Sequence, residues 1–122
     1  MRTSFLLAGL LVTMTGCSFA ARSPDMYRDD TQAVLATRND QIRACYNELL
    51  KEDPNVGGKV TLTFDVETEE GKIVNIVVDE ENTTAPASVA QCVSNNIAGL
   101  SLHPPDQRKG EATWSWELRP EG

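Results

Sequence analysis

Three cysteines, one histidine, adjacent carboxylate pairs and two tryptophans are the side chains best suited to chemistry or recognition in this 122-residue chain. Cys17 directly follows the small pair Thr15-Gly16, and Met14-Thr15-Gly16-Cys17 has the pattern of a lipobox, with Met14 where Leu, Val or Ile is usual. There the thiol is acylated and the cysteine becomes the new N-terminus. The preceding leader fits: Arg2 supplies positive charge, and Phe5 to Val12 supply a short apolar run. About ten apolar residues suit a signal-peptide core, whereas a spanning helix needs about 20. The competing reading is an ordinary secretory leader cleaved elsewhere, with Cys17 as a passenger.

Cys45 and Cys92 lie 47 residues apart, a spacing that matches no metal motif. In an exported protein the even pair reads as a disulfide; in a cytosolic one it reads as two separate buried thiols. Closing so long a loop stabilises a fold by about 4 kcal/mol in the chain-entropy model.

His103 stands beside Pro104-Pro105, and no serine lies in a G-x-S-x-G context. One histidine and a bridged cysteine pair cannot complete a zinc site. Glu69-Glu70 and Glu80-Glu81 are sequence neighbours whose side chains diverge into solvent, which does not suit general acid–base work. Asp79 to Asn82 lacks the spacing and glycine of a calcium loop. The expectation is no catalytic residue, no metal and no cofactor. Trp114 and Trp116 share one face of an alternating segment. They read first as core aromatics of a small domain, and second as a stacking platform for cell-wall or polysaccharide sugars.

The elements that position these residues follow from periodicity. Removing residues 1–16 leaves 106 residues, enough for one small domain. It removes only Arg2 from the charged residues, so net charge moves from −7 to −8. An acidic surface of that size repels phosphate backbones, so no nucleic-acid partner is expected. Residues 17–28 lack periodicity and read as a tether, and residues 29–122 as the domain. Val34, Leu35, Ile42, Cys45, Tyr46 and Leu49 keep a helical spacing that starts near Asp29-Asp30 or at Asp40 and ends at Pro54. Val60 to Val66 alternate as a strand, Glu69 to Lys72 turn, and Ile73 to Val78 return in a hairpin. Blurred alternation in that second strand signals a bulge or deeper burial. Pro86 opens another helix through Val89, Cys92, Val93, Ile97 and Leu100, and Ala112 to Leu118 form a third strand. The predicted class is α+β: an α-β-β-α-β domain with a three-stranded antiparallel sheet and two helices packed on one face.

In order, Ile42-x-x-Cys45-Tyr46, Gly58-Lys59-Val60, Glu70-Gly71-Lys72-Ile73, Val89-x-x-Cys92-Val93 and Leu102-His103-Pro104-Pro105 resemble the AgmX/PglI C-terminal domain family, a relative of the TonB C-terminal domain fold. The resemblance covers about Asp40 to Leu118, here in a stand-alone bacterial lipoprotein, and implies that Cys45 and Cys92 are a paired structural feature. It also implies action by pairing a strand edge with an extended segment of an envelope protein partner. Together these readings describe a non-catalytic interaction or scaffolding module, lipid-anchored to a bacterial membrane and facing the periplasm. Ser18 in place of aspartate favours the outer membrane over the inner. The alternative is a glycan-binding module built on Trp114 and Trp116.

Overall fold

The computed structural model describes residues 20–121. The expected signal peptide, the expected acylation site Cys17 and the first residues of the expected tether lie outside the described residues. The class is α+β, with three helices and a three-stranded antiparallel open sheet among the described residues.

The domain begins earlier than residue 29. Helix α1 spans Pro24–Ala36: the Ser23 hydroxyl accepts from the Met26 N–H at 3.2 Å, and Pro24 occupies the first turn, where its missing N–H costs nothing. Residues 20–28, read as tether, are therefore part of the fold; Arg22 is buried and Thr31 and Leu35 face the interior. The helical stretch up to Pro54, whose start the spacing leaves near Asp29-Asp30 or at Asp40, is two helices, the second matching the start at Asp40. The Thr37 hydroxyl bonds back to the Val34 carbonyl at 2.6 Å, competing with helical bonding, and Arg38 leaves helical geometry before α2, Asn39–Glu52.

Strand β1, Gly58–Val66, is central in the order β2-β1-β3. Val60, Leu62, Phe64 and Val66 are all buried, as the two-residue alternation requires. Strand β2, Ile73–Val78, pairs with β1 through a bulge between Thr63 and Asp65. Asn75 adopts φ 55° there and its amide donates to Asp65 Oδ2 at 2.9 Å, which accounts for the blurred alternation. A short 3-10 turn, Glu80–Asn82, leads into helix α3, Ala87–Ile97. Strand β3, Gly110–Leu118, closes the other side of β1 with unbroken register from Gly58↔Leu118 to Val66↔Gly110. The core joins Leu35, Ile42 and Tyr46 to Val89, Val93 and Ile97 over the apolar face of the sheet.

Cys45 and Cys92 form a disulfide that ties α2 to α3, with 5.7 Å between their Cα atoms. Two helices thus clamp one another on the sheet, and α1 is the third element of that layer. Among the described residues no helix is long and apolar enough to cross a membrane.

Candidate functional site

The two edges of the sheet differ. β2 is six residues long and bulged, and its first residue is already occupied, because the Ile73 N–H donates to the Leu100 carbonyl at 2.8 Å. Short, kinked and covered edges resist pairing. β3 is nine residues long and carries neither bulge nor proline.

Which backbone groups of β3 point away from β1 follows from the other bonds of β1. The Lys59 carbonyl accepts from the Thr84 and Ala85 N–H groups, and the Thr61 carbonyl accepts from Asp79 at 2.9 Å. Lys59 and Thr61 therefore face away from β3. Successive residues of an antiparallel strand address opposite neighbours, so Val60, Leu62 and Phe64 bond their partners Trp116, Trp114 and Ala112. By the same alternation Glu111, Thr113, Ser115 and Glu117 aim their N–H and C=O groups off the sheet.

Beside this edge runs a groove of about 460 Å³ between β3 and α1, lined by Tyr27, Thr31, Val66, Ala112 and Trp114, with Arg28 and Lys109 also on its wall. Its lining mixes apolar side chains with the charged Arg28, Arg108, Lys109 and Glu111. Lys109 lies 3.4 Å from Asp65 and 3.8 Å from Glu111. Tyr27 holds the two walls together: its hydroxyl donates to the Arg108 carbonyl at 3.1 Å, and its ring lies so close to Gly110 that a Cβ there would meet Tyr27 Oη at 2.7 Å. Burial, reinforced by the charge of Asp106, raises the Tyr27 phenol above its ordinary value against the pull of Arg22 and Arg108.

Behind the groove sits a buried charge cluster. Asp106 is fully buried and accepts the Arg22 backbone N–H at 2.8 Å and the Arg108 N–H at 3.0 Å. Arg22 Nε donates to Asp30 at 2.7 Å, and the Arg108 guanidinium reaches the Arg22 carbonyl. Burial alone would raise the Asp106 carboxyl. The two N–H donors and the two guanidinium charges outweigh it and hold the group below the ordinary carboxylate value.

The sequence-predicted candidates fall elsewhere. Trp114 and Trp116 are half-buried on the helix-facing side of β3, packed against the core opposite Leu62 and Val60; only Trp114 lines the groove. His103 is exposed on the loop before Pro104, and Glu69-Glu70 and Glu80-Glu81 are exposed as separate turn residues. Glu67 instead organises its turn, its carboxylate accepting from the Glu70 and Lys72 N–H groups, which lowers its pKa. Among the described residues no three potential ligands gather around a metal position. Arg22, Tyr27 and Asp106 were missed, although Ser23-Pro24 carried a cap signal for the helix that presents Tyr27.

Comparison with protein-family models, curated proteins and solved structures found no match.

Proposed function

We propose that the protein is a non-catalytic interaction module of the bacterial cell envelope, similar to AgmX/PglI C-terminal domains, acylated at Cys17 and facing the periplasm, on the outer membrane rather than the inner. It takes up an extended segment of a protein partner along β3. The observation that carries this reading is the alternation that leaves Glu111, Thr113, Ser115 and Glu117 with outward main-chain donors and acceptors. Main-chain bonding of an added strand supplies affinity, and a pocket for alternate side chains supplies selectivity. The groove at Tyr27 and Trp114 offers such a pocket. The disulfide and the unbroken β1–β3 register favour a rigid template, which lowers the ordering cost of binding.

A photo-crosslinking residue at Glu111, introduced into the acylated full-length protein in intact envelopes, tests this. A protein adduct is expected, and Thr113→Pro should abolish it, because proline removes an outward N–H without breaking the ladder to β1. An adduct undiminished by Thr113→Pro, or no protein adduct at all, rejects the reading.

A further inference from the structure

The chain between the acylation site and the fold is very short. Ala20 is already fixed: its N–H donates to the Pro105 carbonyl at 2.8 Å, and its carbonyl accepts from Gln107 at 2.8 Å. Two residues later Arg22 is locked to Asp106, and Ser23 caps α1. Only Ser18 and Phe19 separate Cys17 from Ala20. Three residue steps reach about 11 Å at full extension, whatever path they take. A flexible coil of ten or more residues lets a domain reorient; three residue steps confine Ala20 to within about 11 Å of Cys17.

Ala20, where that segment enters the fold, has a definite place beside the sheet. The pairing of Ala20 with Asp106 lies four residues before Gly110, which pairs with Val66, and Val66 pairs with Ile73. The Gly71 turn joins the same end, since the Leu102 N–H donates to its carbonyl at 2.7 Å. Gly58, Leu118 and the turn at Asn55 form the opposite end, a strand length of about 26 Å away.

We propose that the domain rests directly on the bilayer surface by its Gly71–Gln107 end, with the sheet upright and β3 rising from the headgroups toward Leu118. The proposal depends on acylation of Cys17, and it orients the partner site: a bound segment would meet Gly110 beside the membrane and Glu117 far from it. Exposed Arg28, Lys72 and Arg108 lie at the lipid-facing end, but so do Glu69 and Glu70. Charge therefore does not choose the orientation; the short attachment does.

The experiment uses the acylated full-length protein in phosphatidylethanolamine–phosphatidylglycerol vesicles carrying a headgroup energy-transfer acceptor. A donor dye is placed at Gln107→Cys or at Asn55→Cys, both exposed positions. Transfer from Gln107 should exceed that from Asn55 by at least about twofold, given a height difference near a strand length. Inserting about fifteen Gly/Ser residues between Phe19 and Ala20 should bring the two values together, because a flexible coil of that length lets the domain reorient. Equal transfer from both positions, with the acyl mass confirmed on Cys17, overturns the orientation and leaves the anchor standing. Protein that carries no acyl group and stays in the supernatant overturns both.

Discussion

Arg22 and Asp106, 84 positions apart, meet in the interior: the Arg22 backbone N–H donates to Asp106 Oδ2 at 2.8 Å, and the Arg22 guanidinium lies 3.6 Å from the same oxygen. This contact fastens the segment before α1 to the loop before β3. It holds the start of α1, the helix that presents Tyr27, against the loop before β3 beside the groove.

Removing the carboxylate should be expensive. Asp106→Ala leaves the Arg22 and Arg108 N–H groups and two guanidinium charges without their shared acceptor. A loss of about 2–4 kcal/mol is expected, the range for breaking a buried charged hydrogen-bond cluster. Urea denaturation of the variant checks it, and an unchanged midpoint would contradict the assigned role.

The same carboxyl predicts an acid response. Its folded pKa lies below the unfolded value, near 3.9 for aspartate, so its contribution is present above about pH 4 and lost as pH falls through the folded value. Asp106→Asn should flatten the dependence of stability on pH in that acidic window and leave the neutral range parallel to wild type. Denaturation midpoints collected from pH 2 to 7 test the sign (about five points suffice to resolve the slope).

Gly110 has a steric task. A methyl group there would sit 2.7–2.8 Å from the Tyr27 hydroxyl and ring, so Gly110→Ala must push Tyr27 off the strand. Destabilisation of about 1–3 kcal/mol is expected for such overpacking. The phenol should also titrate closer to its ordinary value, since burial is the main cause of its rise. Ultraviolet difference titration distinguishes this outcome from a methyl group accommodated at no cost.

The disulfide closes a 47-residue separation that contains β1, β2 and the start of α3. Reduction, or Cys45→Ala with Cys92→Ala, should cost about 4 kcal/mol through the freed unfolded chain. The proposed binding at β3 should survive wherever the reduced protein remains folded, because neither sulfur lies at the groove. A crosslink at Glu111 that vanishes on reduction of a still-folded protein would show that the clamp shapes the site.

Local chemistry made much of this molecule legible in its sequence. Strand alternation from Val60 to Val66 and from Ala112 to Trp116, helical spacing from Ile42 to Leu49, and the turn at Gly71 all act within a few residues, and each stands where its pattern places it. The irregularity at Asn75 was visible as broken alternation. The start of α1 was also written locally, in Ser23-Pro24, but it was obscured by the mixed composition around it. The apolar faces of α2 and α3 carried the two cysteines, and packing on one sheet brought them together.

What tertiary structure alone decided is which strand is free and what stands beside it. Sequence specifies that β3 alternates, but not that its outer side has no neighbour among the described residues; that depends on the order β2-β1-β3 and on Leu100 occupying the start of β2. Nor does any local pattern join Arg22 to Asp106, because a buried charge is tolerated only where distant groups converge to satisfy it. Periodicity reports which face of an element is apolar. The placement of that element against others is a property of the whole chain, and the groove at Tyr27 exists only there.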